Sequence, residues 1–160
     1  MRYASLAAAA VMLGAHGIAG VHFGETKRAS VAGLTALFGA PTARMPNAGC
    51  SPRYSEVEWG RLFAEFRDGR FKGFRYRADG WPVDRLPALL PPFPRLSAAG
   101  GITLGSTLAE LRAKDGPLRI VGTDRWETRD GLVFYDNAKH DPVPPSSRIV
   151  EIEFGTCGDF

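Results

Sequence analysis

"GITLGSTLAELRAKDGP", residues 101–117, repeats much of an earlier stretch, "GVHFGETKRASVAGLTALFGAP", residues 20–41. In each stretch a short apolar lead-in and a glycine precede a threonine, Thr26 or Thr107, which can cap a helix. Thr107 is followed three residues later by Glu110, the spacing of a capping box, in which hydroxyl and carboxylate satisfy free N–H groups. The recurrence predicts two capped helices.

The residues after each threonine indicate where the two helices end. Gly39 and Gly116 stand where a left-handed residue past a helix end is expected, and a proline follows each of them closely. Between threonine and glycine, apolar side chains recur at helical spacing. They are Val31, Leu34, Leu37 and Phe38 in the first stretch and Leu108 and Leu111 in the second.

Short β-strands are predicted after each helix. In the first half, residues 55–60 alternate apolar and acidic side chains, and Asp68-Gly69 is a two-residue hairpin signal. Gly73 interrupts the alternation of the following strand, which indicates a β-bulge. In the second half the strand candidates are residues 118–122, 131–136 and 147–154.

These elements predict an α+β fold made of two tandem repeats, each a short capped helix packed on a small antiparallel sheet. Repeat 1 covers residues 18–79 and repeat 2 covers residues 100–160. Five prolines between Pro82 and Pro94 forbid regular structure there, so residues 80–99 are interpreted as a Pro-rich linker.

The first 17 residues are interpreted as a signal peptide. A basic residue, Arg2, precedes an apolar run of the length of a signal h-region, and Ala8-Ala9-Ala10 offers small residues for cleavage. The mature chain is then expected to begin between Val11 and Ile18 and to be extracytoplasmic, either secreted or periplasmic. The run is too short to span a bilayer, so no membrane span is expected. An Ala-rich buried helix is the alternative interpretation.

The order of apolar lead-in, "FGET" or "LGST", capped helix, "FGAP" or "DGP", and antiparallel sheet resembles a known tandem repeat. It is similar to that of the beta-lactamase-inhibitor-protein-like superfamily, which includes the outer-membrane assembly lipoproteins of the SmpA/OmlA type. With "WGRL" at residues 59–62 and "GTCGDF" at residues 155–160, the chain also resembles a set of uncharacterised exported bacterial proteins. It lacks a lipidation cysteine, and no residues of the inhibitor contact match.

Charge and cysteine usage agree with an exported protein. Residues 1–80 hold 11 Lys/Arg against 6 Asp/Glu, and residues 81–160 hold 9 against 11, for a net charge of +3. This balance is well short of a nucleic-acid-binding tail. The two cysteines, Cys50 and Cys157, have no zinc-ligand spacing, and in an oxidising compartment they are expected to form a disulfide bond. Two unpaired buried thiols are the alternative.

No catalytic or cofactor motif is present, so neither an enzyme nor a bound cofactor or metal is expected. His22, between two apolar residues, is expected to point to solvent from a short edge strand, and His140 lies in a Pro-rich loop without a fixed set of metal ligands. Two acidic pairs, Glu56 with Glu58 and Glu151 with Glu153, are interpreted as solvated strand faces that can form cross-strand pairs with arginines of the central hairpin, residues 65–77.

The hairpin "EFRDGRFKGFRYR", residues 65–77, interleaves aromatic and basic side chains. Core aromatics with solvated cations is one interpretation, and a protein-binding surface with Arg and Tyr anchors is another. Stacking on single-stranded nucleic acid is a third. The predicted function is a non-enzymatic exported module that binds an unidentified protein partner, with nucleic-acid binding or an unrecognised hydrolase as alternatives. The candidate binding surface consists of Tyr54, Trp59, Arg70, Lys72, Arg75, Tyr76 and Arg77.

Overall fold

The structure is a computed structural model that describes residues 11–46, 53–77, 96–121, 125–136 and 143–155. These residues form two α-helices, one short 3-10 helix at Ala99–Gly101 and twelve strands. The helices are α1 (Lys27–Phe38) and α2 (Leu108–Asp115). The strands are β1 (Val11–Gly14), β2 (Gly17–Ile18), β3 (Val21–His22), β4 (Ala43–Met45), β5 (Tyr54–Trp59), β6 (Leu62–Arg67), β7 (Arg70–Arg77), β8 (Leu96–Ser97), β9 (Arg119–Ile120), β10 (Arg125–Glu127), β11 (Val133–Asp136) and β12 (Ile149–Phe154).

Both helices begin and end where the sequence predicts. The Thr26 hydroxyl accepts a hydrogen bond from the backbone N–H of Ala29 at 3.3 Å, and the N–H of Gly39 closes the end of α1. At α2 the capping box is present in both directions. The N–H of Thr107 donates to Glu110 Oε2 at 2.7 Å, and the N–H of Glu110 donates to the threonine hydroxyl at 3.2 Å.

The lead-in to each helix is attached to the sheet by an arginine. The Arg70 guanidinium donates to the carbonyl oxygen of Gly24 at 2.8 Å, and the Arg148 guanidinium donates to that of Gly105, also at 2.8 Å. The two glycine N–H groups donate back to β7 and β12 respectively. The recurring sequence therefore builds the same local contact at both helix starts.

The predicted fold class, α+β with a separate small sheet in each of two repeats, is wrong. Strands hold 46% of the described residues and helices 21%, and the strands form one sheet of eight and one of four. The eight-stranded sheet has the order β4-β5-β6-β7-β12-β11-β10-β9. Its halves join where β7 and β12 pair antiparallel, from Arg77 opposite Glu151 to Phe74 opposite Phe154. Joining two edges satisfies backbone groups that two separate small sheets would leave open.

The four-stranded sheet, in the order β3-β2-β1-β8, uses segments that the sequence assigned elsewhere. β1 falls within the predicted leader, residues 1–17, and β8 falls within the predicted linker, residues 80–99. They pair in parallel, and Leu13 and Leu96 are buried. Strands of two to four residues are too short for an alternation pattern to reveal them. Export of the chain stays a prediction.

The hydrophobic core lies between the two sheets and the helices. Leu13 and Ile18 of the small sheet, Leu34 of α1 and Leu111 of α2 belong to one buried cluster with the apolar side chains of the large sheet. Phe23 joins the lead-in of α1 to this core, because its ring lies 4.8 Å from that of Phe71 and 5.0 Å from that of Phe154, measured between centroids.

The predicted hairpin and bulge are confirmed. Asp68 and Gly69, with φ of 51° and 71°, connect β6 to β7. Glu65 then lies opposite Gly73 while Phe66 lies opposite Phe71, so the register skips Lys72. A Cβ atom on Gly73 would lie 2.4 Å from the carbonyl oxygens of residues 154 and 155, so only glycine fits beside β12. No helix within the described ranges is long and apolar enough to cross a membrane.

Candidate functional site

One face of the eight-stranded sheet carries charged and tyrosine side chains, and we call it the polar face. Both helices lie on the opposite side, since Lys27 of α1 stands over Phe66 and Arg112 of α2 stands over Trp126, two core residues. The strand register places the following residues on the polar face: Tyr54, Glu56, Glu58, Phe63, Glu65, Arg75, Arg77, Arg119, Arg125, Glu127, Val133, Tyr135, Glu151 and Glu153.

Arg75 stands at the centre of the first cluster on this face. Its Nε atom lies 2.8 Å from Glu65 Oε1, and its Nη2 atom pairs with Glu56 Oε2. Glu56 and Glu65 lie opposite each other on β5 and β6, and each is 1% exposed. The Tyr54 hydroxyl donates to Glu65 Oε2, while Glu56 Oε1 is buried without a hydrogen-bond donor. One guanidinium therefore neutralises two buried carboxylates that face each other.

Burial controls the protonation of this cluster. It raises the pKa of the Tyr54 hydroxyl, and the hydrogen bond to Glu65 adds to the effect, so Tyr54 is a neutral donor. Burial also raises the pKa of Glu58, which lies two residues along β5, and the charge of Glu56 raises it further. The cluster therefore opposes a third negative charge at the half-buried Glu58, although Arg75 offsets part of this effect.

A second cluster lies where β7, β12, β11 and β10 adjoin. Arg77 Nε lies 2.9 Å from Glu151 Oε2, and Arg125 Nη2 lies 3.7 Å from Glu153 Oε1. The Tyr135 hydroxyl donates to the same Glu153 oxygen at 2.7 Å. Burial raises the pKa of Glu151, and its arginine neighbours oppose that effect. These contacts hold each arginine in a defined place on the sheet.

Arginines cover glutamates on the polar face. The side chains of Arg75, Arg77 and Arg125 are 30%, 27% and 21% exposed, whereas those of Glu151 and Glu153 are 14% and 6% exposed. The outermost charges are therefore guanidinium groups above a carboxylate floor. The prediction that the acidic pairs are solvated is wrong for Glu56 and Glu153. The predicted pairing with arginines of the central hairpin is confirmed for Glu56 with Arg75 and for Glu151 with Arg77, whereas Glu153 lies near Arg125 of β10.

A cleft of about 450 Å³ opens at the β9–β12 end of the polar face. Val133 and Phe154 supply its apolar lining, and Lys72, Arg119 and Glu127 are among its charged residues. Arg119 Nε lies 3.1 Å from Glu127 Oε2. Concave sites of this volume are the usual size for small organic ligands.

The structure divides the predicted binding surface between the two sides of the large sheet. Tyr54, Arg75 and Arg77 share the polar face, but Tyr54 is buried there at 3% exposed and does not form the predicted surface anchor. Trp59 and Tyr76 lie in the core at 1% and 5% exposed, and the Trp59 indole N–H donates to the Gly39 carbonyl oxygen at 3.0 Å. These two aromatic residues therefore present almost no surface to a partner.

The remaining predicted residues lie at the margins of the polar face or outside the described residues. Arg70 is exposed but donates to the Gly24 carbonyl oxygen, and Lys72 is exposed at the bulge beside the cleft. The expected position of His22 is confirmed, since it is exposed on the edge strand β3. Cys50, Cys157 and His140 lie outside the described residues, so the disulfide bond stays a prediction.

Most polar-face residues, among them two arginines and a tyrosine of the second half of the sheet, were not predicted from the sequence as site residues. Arg119, Arg125 and Tyr135 lie on β9, β10 and β11, which are two to four residues long. In each of these strands the charged or tyrosine residue is next to a buried or β-branched residue. This alternation is the only local sequence signal for which side of the sheet the residue faces. No group of three or more His, Cys, Asp or Glu side chains within the described ranges could hold a metal ion.

Comparison with known proteins finds no matching family model, no similar curated protein and no similar solved structure. The resemblance to the beta-lactamase-inhibitor-protein-like superfamily therefore stays a prediction.

Proposed function

We propose that the chain is a non-enzymatic, extracytoplasmic binding protein whose polar face engages a protein partner. The observation that carries the proposal is the layer of partly exposed guanidinium groups held above buried carboxylates. Arginine and tyrosine dominate the energetics of many protein interfaces.

The ion pairs on the polar face support a binding role because they fix side chains in advance. An arginine on a flexible surface loses rotamer freedom when it is bound, which weakens association. Arg77 and Arg125 already lie against glutamates of β12 in the free chain. A partner carboxylate would therefore meet guanidinium groups whose positions are largely set.

The alternative of nucleic-acid binding has less support. Stacking on bases requires exposed aromatic faces, and the hairpin of β6 and β7 offers few. Phe66, Phe71 and Phe74 are fully buried and Tyr76 is 5% exposed. The arginines of that hairpin on the polar face and its buried aromatic side chains thus lie on opposite sides of the sheet.

The proposal is tested by affinity capture from the native extracytoplasmic fraction. The bait is the full chain, its Arg77→Ala variant, or its Arg28→Ala variant, in which an exposed arginine on the opposite side of the sheet is removed. We expect one protein to be retained by wild type and Arg28→Ala and reduced about tenfold or more with Arg77→Ala, the scale of an interface hot spot. Equal retention by the two variants would contradict the proposal.

A folding control accompanies the capture experiment. Because Arg77 pairs with Glu151, its removal leaves a half-buried carboxylate without this cation. The double variant Arg77→Gln, Glu151→Gln removes both charges and keeps hydrogen-bonding groups in place. It should unfold close to the wild-type midpoint and still fail to retain the partner.

A further inference from the structure

We infer that the cleft at the β9–β12 end of the polar face binds a small organic carboxylate with an apolar body, with Lys72 contacting the carboxylate. Such a site needs no protein partner and goes beyond the proposed function. Its volume, about 450 Å³, suits a ligand with one or two rings.

Two glycines line the cleft where its backbone segments approach each other. Gly131 and Gly155 line it, with φ of 88° and 60°, a range that residues with a side chain rarely adopt. A Cβ atom on Gly155 would also lie 2.5 Å from the carbonyl oxygen of Lys72. Glycine at position 155 therefore lets the chain after β12 pack directly against the backbone of the bulge beside the cleft.

The lining of the cleft has two parts with different chemistry. Val121 and Phe154 are partly exposed and give it an apolar wall, whereas Val133 is almost fully buried. An apolar ligand body that covers this wall would remove it from water. The charged side chains lie around this wall, so a ligand that satisfies both parts carries its charge at one end.

Charge pairing leaves one cation of the cleft without an acid. The lining contains three cations, Lys72, Arg119 and Arg125, and two carboxylates, Glu127 and Asp130, and Glu153 beside Arg125 brings the sum of these charges to zero. Arg119 pairs with Glu127, Arg125 lies 3.7 Å from Glu153, and Asp130 accepts a hydrogen bond from Thr128 at 2.5 Å.

Lys72 is the cation that these pairs leave over. Within the described part of the chain, no carboxylate lies within ion-pair distance of its ammonium group. The β-bulge adds this residue to β7 beside the cleft without a partner on β6. An anionic group on the ligand would form an ion pair with this ammonium group.

The inference is tested with 1-naphthoate, and with neutral 1-naphthamide as the matched probe. Titration of the full chain, followed by amide NMR, should show saturable naphthoate binding that shifts the N–H signals of Gly131 and Gly155. The amide should bind about tenfold more weakly, because it lacks the charge-assisted contact. No saturable binding up to about 10 mM, or equal binding of the two probes, would overturn the inference.

Titrations of lysine variants test whether Lys72 is the residue that contacts the carboxylate. Lys72→Gln should weaken naphthoate binding about tenfold, whereas Lys72→Arg should keep it within about threefold, because the charge is retained. Lys114→Gln, which removes an exposed lysine at the end of α2, should have no effect. If Lys72→Gln and Lys114→Gln weaken binding equally, the carboxylate does not contact Lys72 and the inference is wrong.

Discussion

Arg75 shows how single residues on the polar face depend on one another. Its guanidinium pairs with both Glu56 and Glu65, which are 1% exposed and lie opposite each other. A buried carboxylate that loses its cation still bears its desolvation free energy, and no ion pair offsets it. The pair of acids is therefore tolerated because a single arginine reaches both.

Replacing Arg75 with methionine should destabilise the fold strongly. Breaking a buried ion pair by removing one partner typically lowers the free energy of unfolding by about 3–5 kcal/mol. We expect a loss of about 3 kcal/mol, because a glutamate left without its cation can take up a proton. Urea unfolding at pH 7 measures it. The triple variant Arg75→Met, Glu56→Gln, Glu65→Gln should recover most of the lost stability. A single variant within about 0.5 kcal/mol of wild type would show that the cluster does not depend on Arg75.

Glu58 should make the stability depend on pH. Its pKa is raised in the folded chain by burial and by Glu56, so the folded state holds this proton more tightly than the unfolded state. This contribution to stability is present at low pH and is lost as pH rises from the unfolded pKa through the folded pKa. Glu58→Gln should therefore unfold at higher urea concentration than wild type at pH 7.5, with no gain at pH 4.

Glu110 provides a control of opposite sign. Its pKa is lowered by hydrogen bonds from Thr107, so its contribution is present above the unfolded pKa and lost as pH falls. Glu110→Gln should lower the urea midpoint at pH 7.5 and leave it unchanged at pH 3. The same direction of change in both variants at pH 7.5 would contradict the assignment for Glu58.

At the scale of elements, the β-bulge is the feature that both joins the sheet halves and shapes the cleft. Gly73 lets the backbone of β7 approach the end of β12. Lys72, the extra residue of the bulge, lies beside the cleft. The same irregularity thus serves packing on one side and a candidate site on the other. Bulges are often found where a side chain must be redirected next to a functional site.

Gly73→Ala should push β12 away from β7 and destabilise the fold. The added methyl group would lie 2.4 Å from two carbonyl oxygens, so β12 must move, at a cost of about 1–3 kcal/mol or more. Gly14→Ala is the matched control, because a Cβ atom there meets only one oxygen, at 3.9 Å. Urea unfolding compares the two. A loss for Gly73→Ala no larger than that for Gly14→Ala would show that the close approach is not required.

The helices, the hairpin and the bulge were predictable because their signals lie within a few residues. Thr107 and Glu110 are three residues apart, and Asp68-Gly69 is a dipeptide. The joined sheet was not predictable, because the pairing of Arg77 with Glu151 links strands 74 residues apart and no local pattern selects that partner. The arginine layer depends on the same long-range pairing, so only its Arg75 and Arg77 members were identified from the sequence.

At the scale of the whole molecule, the start of the described chain belongs to the core. β1 pairs with β2 and β8, and Leu13 is 1% exposed. If a leader is removed, cleavage after Ala8-Ala9-Ala10 keeps this strand, whereas cleavage after Gly17 removes it. The predicted range of mature starts, Val11 to Ile18, is therefore not structurally uniform.

A chain that starts at Val11 should be much more stable than one that starts at Ile18. Losing β1 exposes the partners of Leu13, and deletion of one buried leucine side chain alone costs about 2–5 kcal/mol. Urea unfolding of the two purified chains measures the difference, and the intact mass of the protein from its native host identifies the natural start. Equal midpoints would show that β1 contributes nothing to the core.

The central claim, that the polar face receives a protein partner, is tested most directly by site-specific photocrosslinking in the native host. A photoreactive side chain replaces Arg119, which is 72% exposed on the polar face, or Leu37, which is 42% exposed on α1 on the other side of the sheet. We predict one adduct of defined mass from position 119, its loss when Arg77→Ala is added, and no such adduct from position 37. An adduct from position 37 alone, or one from position 119 that Arg77→Ala leaves unchanged, would contradict the claim.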